Sequence, residues 1–424
     1  MKRKLLVLFT ILYTCANAQA PDWQWAKKIS GAYQEIITNT AMDAKNNLLV
    51  FGNFNTPAIT FDNITLTRKY TQDYFLAKYN SNGKVLWAKR PIDAPDGVAA
   101  VKIDTITNNM YILGGFKNQL IIGTDTLRNK GNNTVMNSFI AKTDSLGNPI
   151  WARSILNAQP FANLPTVDEK GNLYVTGNFA GTTAFVVNND TIKKSLNQNI
   201  NYLFILKLSP AGNLLWSKVT GLSGYLMPNS IATSKGVVYV AGSFSQDTLF
   251  FDKDTVFSNG STANDAFLVK HDSLGNELWA KSISGDSEED QPRISVNKTG
   301  DLYFTQYTYS PEICLNGVST PMFQGATFIA KLTPSGNTIW TKTLEPLGGD
   351  IIYVNDHVSD QSNNLYLAGS FSCQRFAFAG DTLKNNPGKN QLFILKYDST
   401  GTPSWILGAS TLGDQTASVA ALNV

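Results

Sequence analysis

Short apolar runs alternate with polar clusters along the whole chain after residue 20. Runs such as LYVTGNF (173–179) and VYVAGSF (238–244) are rich in β-branched and aromatic residues and are bounded by Asn, Gly and Lys. This composition is typical of β-strands. No stretch after residue 20 shows the hydrophobic period of an amphipathic helix. The pattern therefore predicts an all-β protein.

One stretch, FLVKHDSLGNELWAK (267–281), recurs along the chain. Its copies are FLAKYNSNGKVLWAK (75–89), FIAKTDSLGNPIWAR (139–153), FILKLSPAGNLLWSK (204–218), FIAKLTPSGNTIWTK (328–342) and FILKYDSTGTPSWIL (393–407). The tryptophans of these copies, together with Trp25, lie 61 to 65 residues apart. A fixed period of this size indicates modules that each form one supersecondary unit.

Each module contains four predicted strands and an extra short hairpin. In residues 285–342 the strands are ISVN, DLYFTQY, TFIAKL and NTIWTK, the hairpin is ICLNGVST, and GDSEEDQPR is a polar loop. Six modules of four antiparallel strands predict a β-propeller of six full blades, about 63 residues each. A β-solenoid is the alternative, but its repeats are usually much shorter.

The expected blades end near Trp87, Trp151, Trp216, Trp279, Trp340 and Trp405. Two terminal fragments remain: a last strand around Trp25 and a first strand at 414–424. They predict either a partial seventh blade or an irregular seam between six closed blades, and a truncated chain is a third alternative.

Several blocks resemble the repeats of secreted bacterial β-propeller proteins with SBBP-type repeats, a family common among Bacteroidota-like bacteria. These blocks are DEKGNLYVTGNF (168–179), ISGDSEEDQPRISVNKTGDLYF (283–304) and TFDNITLTRKYTQDYFLAKYNSNGKVLWAK (60–89). The resemblance covers nearly all of the chain after residue 20. It implies the propeller fold and implies no particular activity, because propellers with similar repeats have unrelated functions.

The first twenty residues, MKRKLLVLFTILYTCANAQA, have a basic start, an apolar run and small residues in A-x-A spacing. They predict a signal peptide over 1–20, followed by a single propeller domain over 21–424 in a secreted or extracytoplasmic protein. A lipoprotein signal at Cys15 is disfavoured because Tyr13 and Thr14 are not small. No later run reaches the ~18 apolar residues of a membrane-spanning helix.

The net charge and the cysteine content indicate which partners and which covalent bonds are expected. Lys2, Arg3 and Lys4 account for the whole formal net charge of +3, so removing the predicted signal peptide leaves 3 − 3 = 0. A neutral surface gives no electrostatic basis for binding nucleic acid. Cys314 and Cys373 could pair, but two buried thiols are the expected state. We expect a monomer without cofactor or metal.

The recurring turn could suggest a calcium loop, but its carboxylate is replaceable. Asp272 corresponds to Asn80, Ser209 and Thr333 in other copies. Calcium sites need several charged oxygens, whereas a type I turn accepts all four residues at its first position. Only glycine is present in all six copies, at Gly83, Gly147, Gly212, Gly275, Gly336 and Gly401. The turn is therefore predicted to be structural, with glycine in the left-handed conformation.

The expected function is a non-catalytic binding or scaffold module for a glycan or protein ligand. The ligand is expected over the channel mouth, where the loops preceding each first strand converge. Candidate ligand-binding residues on these loops are Tyr33, Asp96, Phe161, Tyr225, Glu288, Asp290, Arg293 and Asp350. No catalytic motif is found, and both histidines, His271 and His357, are expected to be surface or capping residues.

Two alternatives remain open. A carbohydrate-active hydrolase or lyase could use paired carboxylates among Asp96, Asp286, Glu288, Glu289, Asp290 and Asp350. A structural adhesin or surface-layer segment would have no ligand pocket.

Asp followed by Ser or Thr also recurs, mostly at predicted turns, and resembles the O-glycosylation acceptor motif of Bacteroidota. The predicted acceptors are Thr105, Thr126, Ser145, Thr191, Thr248, Thr255, Ser273, Thr382 and Ser399. Good turn-forming ability explains the motif equally well.

Overall fold

A computed structural model describes residues 20–21, 25, 27, 29 and 35–409. Within the last range it leaves out 95, 130–135, 157–164, 181–183, 188–189, 195–200, 224, 246–247, 260–263, 288, 349 and 387–388. Every regular element in the described part of the chain is a β-strand, which confirms the all-β prediction. Accordingly, no helix there could cross a membrane.

The strands form six four-stranded blades, as predicted. Those of the first three blades are β1 Glu35–Met42, β2 Leu48–Phe54, β3 Ala58–Phe61, β4 Ile64–Thr67, β5 Asp73–Tyr79, β6 Val85–Lys89; β7 Val98–Ile103, β8 Met110–Phe116, β9 Gln119–Ile122, β10 Asp125–Arg128, β11 Asn137–Thr143, β12 Pro149–Leu156; β13 Thr166–Val167, β14 Leu173–Ala180, β15 Ala184–Val187, β16 Asp190–Lys194, β17 Asn201–Leu208 and β18 Leu214–Ser223.

The last three blades follow the same order. Their strands are β19 Tyr225–Ser234, β20 Val237–Ser245, β21 Thr248–Phe250, β22 Thr255–Phe257, β23 Asp265–His271, β24 Glu277–Gly285; β25 Glu289–Val296, β26 Leu302–Thr308, β27 Glu312–Leu315, β28 Val318–Pro321, β29 Ala326–Leu332, β30 Thr338–Leu344; β31 Ile352–Ser359, β32 Leu365–Phe371, β33 Arg375–Phe378, β34 Asp381–Lys384, β35 Gln391–Tyr397 and β36 Pro403–Ala409.

Each blade is an antiparallel meander, for example β1-β2-β5-β6, with the predicted hairpin inserted between its second and third strands. The hairpin can also extend the sheet of the preceding blade: β27 of the fifth blade pairs with β24 of the fourth. The first strands of successive blades contact each other; for example, β19 contacts β25, and β25 contacts β31. The first strands therefore line the centre of the ring.

The two ends of the strands define two faces of the propeller. The loop face carries the connections from each fourth strand to the next blade, and the turn face carries the turns between first and second and between third and fourth strands. Alternating side chains of the middle strands pack into the cores on both sides of the blade. On β26, Phe304 packs toward the fourth blade and Tyr303 toward the sixth.

On the turn face, the tryptophan of one blade packs on the turn of the next. The indole Nε1 of Trp151 donates to the Pro210 carbonyl at 3.0 Å, and its ring lies 2.8 Å from the position of a Cβ on Gly212. Lys142 stacks its ammonium 5.0 Å from the Tyr111 ring centroid and donates to the same carbonyl. The packing recurs for Trp216 on Gly275, Trp279 on Gly336 and Trp340 on Gly401.

The turn prediction is confirmed. All six glycines have positive φ, between +74° and +84°. The Asp272 carboxylate accepts from the backbone N–H groups of Leu274 and Asn276, which is the role of a turn-forming residue.

Trp25 precedes the first blade and packs on it in the same way. Its Nε1 donates to the Ser81 carbonyl at 3.0 Å, and its ring lies 2.8 Å from the position of a Cβ on Gly83. Trp25 thus occupies the position that the tryptophan of a preceding blade occupies elsewhere. Residues 414–424, the other predicted terminal fragment, lie outside the described residues.

The histidine prediction was wrong, because both side chains are buried: His271 is 1% and His357 is 4% exposed. The His357 ring contacts the Thr305 hydroxyl at 3.2 Å and the Tyr303 carbonyl at 3.3 Å. Burial lowers the pKa of each histidine to about 4, so both are neutral at pH 7.

The predicted boundary of the fifth blade's first strand also needs correction. That strand begins at Glu289, inside the expected polar loop, because the bulge at Gln291 and Pro292 interrupts the pattern without ending the strand. Cys314 and Cys373 are free thiols, as expected, but only Cys373 is buried and Cys314 is half-buried.

Candidate ligand-binding groove between the fifth and sixth blades

The second strand of the fifth blade departs from the repeat at four consecutive positions. Five blades have Gly, a small or amide residue, Phe and then a short or polar residue, at 52–55, 114–117, 177–180, 242–245 and 369–372. The fifth blade has Gln306, Tyr307, Thr308 and Tyr309 instead. These positions lie at the loop-face end of β26. One blade of the ring is therefore specialised at one edge.

Backbone packing explains the glycine of the other blades. A Cβ on Gly242 would lie 2.3 Å from the Met227 carbonyl oxygen of the first strand and 2.6 Å from the Phe267 ring. In the fifth blade, Gln291 and Pro292 lie opposite Gln306 without pairing with it. The first strand of this blade is thus unpaired with the second strand at the position where the larger side chain of Gln306 replaces glycine. The side chain of Gln306 is buried, and both its amide atoms lack a hydrogen-bond partner among the described residues.

Three tyrosines converge on the loop face between the fifth and sixth blades. Tyr307 and Tyr309 come from the specialised end of the second strand, and Tyr353 comes from β31 of the sixth blade. The Tyr307 ring centroid lies 5.1 Å from that of Tyr309 and 5.8 Å from that of Tyr353. The Tyr353 hydroxyl also donates to the Gln291 side-chain oxygen. This cluster forms the wall of a cavity.

The cavity, which we call the first chamber, has a volume of about 340 Å³. It is lined by Gln291, Tyr307, Tyr309, Ile351, Tyr353, Ser370, Ser372 and Asn390. Its described lining residues thus combine aromatic faces with hydroxyl and amide groups, and none of them carries a charge.

A second chamber of about 450 Å³ shares Tyr309 and Ile351 with the first. Its remaining lining residues are Phe323, Gln324, Gly325, Pro346 and Asp350. Tyr309 is 42% and Phe323 is 58% exposed, so both present aromatic surface to solvent. The two chambers are therefore neighbours, and together we call them the groove.

The protonation of Tyr307 is fixed by its surroundings. Burial, followed by the neighbouring Tyr309 phenol, raises the pKa of Tyr307 well above its usual range. The group is therefore a neutral phenol at neutral pH, at the wall of the first chamber.

Behind the groove, toward the fourth blade, lies a buried pair of carboxyl groups, Glu289 and Asp265, which are 0% and 1% exposed. The Glu289 carboxyl accepts hydrogen bonds from the Thr308 and Ser310 hydroxyls. Burial and the neighbouring Asp265 raise the pKa of Glu289 to about 8, and burial raises that of Asp265. One proton is thus shared by the pair at neutral pH.

The structure brings one predicted ligand residue, Asp350, into the groove. Asp96 is on the second blade, where its carboxylate accepts from the Lys117 backbone N–H at 2.8 Å. Tyr225 begins β19 of the fourth blade. Arg293 lies on the first strand of the fifth blade, near His357, and its Nε is buried without a partner among the described residues.

The side chains of the remaining predicted ligand residues lie outside the part of the chain that the structure describes. Tyr33, Phe161 and Glu288 lie outside the described residues, and so does the side chain of Asp290, whose backbone pairs with that of Tyr307. Among the predicted glycosylation acceptors, Thr105, Thr126, Thr255, Ser273, Thr382 and Ser399 are exposed, Ser145 and Thr248 are half-buried, and the side chain of Thr191 lies outside those described. Glycosylation stays a prediction.

Sequence reasoning missed Gln291, Tyr307, Tyr309 and Tyr353. A signal was present: LYFTQYT (302–308) is the one second strand without the Gly-x-Phe pattern of its five siblings. The shared pattern was informative about fold, and the departure from it was informative about the groove.

Fold and groove together define the class: a six-bladed β-propeller with a ligand-sized groove between two blades. No protein-family model matches the chain. It is similar to an uncharacterized WD repeat-containing protein, L264, of Acanthamoeba polyphaga mimivirus, with 22% identity over 475 residues. The match covers 90% of this chain and 34% of that protein, so this chain spans about a third of its WD-repeat relative.

Solved structures similar to this chain include a WD40 domain and two polysaccharide lyases. The Pan2 WD40 domain of Neurospora crassa is 12% identical with a TM-score of 0.34, covering 78% of this chain and 85% of that one. The polysaccharide lyase Uly1 is 11% identical with a TM-score of 0.38, covering 92% and 94%. A PL25 ulvan lyase bound to GlcA(1-4)Rha3S is 11% identical with a TM-score of 0.42, covering 88% and 85%. No functional conclusion is drawn from likenesses this distant.

Proposed function

We propose that this protein is a secreted or cell-envelope propeller that binds a glycan, without catalysis, in the groove between its fifth and sixth blades. The observation that carries the proposal is the convergence of Tyr307, Tyr309 and Tyr353 at the one blade edge that departs from the repeat. The extracytoplasmic location rests on the signal-like segment at residues 1–20 and on the resemblance to secreted SBBP-repeat propellers.

The chemistry of the lining favours a carbohydrate. The C–H groups of a pyranose ring carry partial positive charge and pack well on the negative faces of aromatic rings. Hydroxyl and amide groups on Ser370, Ser372 and Asn390 can exchange hydrogen bonds with sugar hydroxyls. Each chamber falls in the volume range of small-molecule sites, about 300–1,000 Å³. A protein surface would require a broader, flatter patch.

The distribution of carboxyl groups supports binding without turnover. A glycosidase needs two carboxyl groups that flank the bond to be cleaved. Glu289 and Asp265 form a pair, but both are closed off from solvent behind the groove. Among the described residues that line the groove, Asp350 is the single carboxylate. A carbohydrate-active enzyme is the alternative that the same experiment tests.

The test is calorimetric titration of the mature protein with a panel of soluble oligosaccharides, with chromatography of each mixture after long incubation. We expect binding and unchanged oligosaccharides. Replacing the exposed ring in Tyr309→Ala should weaken binding about tenfold or more, because it removes the stacking surface shared by both chambers. Shortened oligosaccharides would instead establish the enzyme.

Two further variants locate the site. Phe257→Ala removes a more exposed aromatic ring, 62% against 42% for Tyr309, from the hairpin of the fourth blade and should leave the affinity unchanged. Tyr225→Ala tests the channel-mouth position expected from the sequence. Loss of binding in Tyr225→Ala together with full binding in Tyr309→Ala would contradict the groove between the fifth and sixth blades.

A further inference from the structure

The geometry points to a more specific ligand, an oligosaccharide of at least two units whose unit in the second chamber carries an ammonium group, as in an amino sugar with a free amine. This inference rests on the proposed function and adds the class of sugar. It rests on the lining residues shared by the two chambers and on the placement of one carboxylate.

The minimum length follows from the shape of the groove. The first and second chambers have volumes of about 340 and 450 Å³ and share Tyr309 and Ile351 as lining residues. Each chamber alone reaches the lower range of a small-molecule site. A ligand that fills both must be extended, and Tyr309 lies where the link between two sugar units would pass.

The charge of the groove is asymmetric. Asp350 is exposed in the second chamber and forms no ion pair with a described residue, while none of the described residues that line the first chamber is charged. Among the described residues that line either chamber, none is Lys or Arg. Uronic acid and sulfated sugars would therefore meet a carboxylate without a compensating cation.

The position of Asp350 is built into the fold. Its φ is +72°, a conformation uncommon for residues other than glycine. Its carbonyl oxygen lies 2.4 Å from the position of a Cβ on Gly325, so only glycine allows this close packing. The Ile352 N–H then donates to the Gly325 carbonyl at 3.1 Å. Asp350 thus lines the second chamber together with Phe323 and Tyr309.

A chamber lined by both a carboxylate and aromatic rings is a suitable environment for an ammonium group. The cation gains a charge-assisted hydrogen bond from the carboxylate and an electrostatic attraction from the ring faces. A neutral N-acetylated unit would receive neither. Selectivity for the free amine should therefore depend on Asp350.

The test compares glucosamine oligomers with N-acetylglucosamine oligomers, from one to four units, by calorimetric titration at pH 6 and low salt. We expect the dimer to bind at least about tenfold more tightly than the monomer, and the glucosamine dimer about three- to tenfold more tightly than its N-acetylated counterpart. In Asp350→Asn the ratio of these two affinities should fall to about one. Asn tolerates the positive φ, so this variant is expected to fold.

Glu312→Gln is the matched control, because it removes an exposed carboxylate that belongs to the hairpin of the fifth blade and lies outside both chambers. It should keep the preference for the amine. Equal affinity for the two dimers in the wild-type protein, or an amine preference that survives in Asp350→Asn, would overturn this inference and leave glycan binding in the groove intact. Failure of every neutral and cationic oligosaccharide to bind would overturn the proposed function with it.

Discussion

Glu289, which is buried beside Asp265, is expected to make the stability of the propeller depend on pH. The pKa of Glu289 rises to about 8 because its carboxyl group is desolvated and lies beside Asp265. A carboxyl group with a raised folded-state pKa stabilises the fold fully below its unfolded pKa and loses that contribution as the pH rises through the folded value. The contribution of Glu289 should therefore disappear between about pH 4.5 and pH 8.

The variant Glu289→Gln tests this. The amide cannot ionise, while its oxygen can still accept from Thr308 and Ser310 and its N–H can donate to Asp265. At pH 9 we expect Glu289→Gln to be more stable than the wild type by an amount on the order of 2 kcal/mol. The measurement is urea unfolding at a series of pH values.

The loss of stability at acid pH, measured in the same unfolding series, provides the control. His271 and His357 have pKa values lowered to about 4 by burial, so their contribution is present above their unfolded pKa and is lost as the pH falls toward 4. Glu289→Gln should leave this acid-side loss in place. A variant whose stability falls between pH 5 and pH 9 as steeply as that of the wild type would show that Glu289 is not the titrating group.

At the scale of elements, the turn between third and fourth strands joins neighbouring blades. Its glycine needs a left-handed backbone and also meets the tryptophan of the preceding blade, as Gly212 meets Trp151. The first requirement was readable from the sequence, because glycine is the constant residue among six copies. The second was not, because it depends on how one blade docks on the next.

Gly212→Ala and Gly317→Ala separate the two requirements. Both glycines have nearly the same φ, +79° and +76°, but a Cβ on Gly212 would lie 2.8 Å from the Trp151 ring, whereas none of the described atoms lies within 4 Å of a Cβ on Gly317. Both variants should lose stability through backbone strain. Gly212→Ala should lose about 1–2 kcal/mol more through overpacking, as measured by urea unfolding. Equal losses would mean that the tryptophan does not constrain the turn.

The sequence allowed the strand order of each blade, the hairpins and the turns to be predicted, because six internal copies could be compared. The groove could not be predicted in the same way. Tyr307 and Tyr353 belong to different blades, and their contact depends on the docking of β31 beside β26. Asp350 was selected as a loop acid, but its neighbours Phe323 and Gln324 come from the end of a hairpin whose position was unknown.

At the scale of the whole molecule, the ring of blades is regular except at the loop-face edge of the fifth blade. The tryptophan, lysine and tyrosine packing repeats around the turn face, while the departures from the repeat concentrate on the loop face of the fifth blade. The centre of the ring also holds charged side chains: burial lowers the pKa of Lys102 on β7, and the nearby Asp356 of β31 partly offsets this. We locate the ligand in the groove between two blades, rather than in the central channel, because the departures from the repeat concentrate at that groove.

Hydrogen–deuterium exchange with and without a bound oligosaccharide tests that location most directly. The account predicts that the ligand slows exchange in peptides covering 303–310, 323–325, 350–353 and 370–372, and leaves peptides around Asp96 and Tyr225 unchanged. Protection of the loops around Asp96 and Tyr225, with no change at 303–310 and 350–353, would contradict it and place the ligand over the channel mouth.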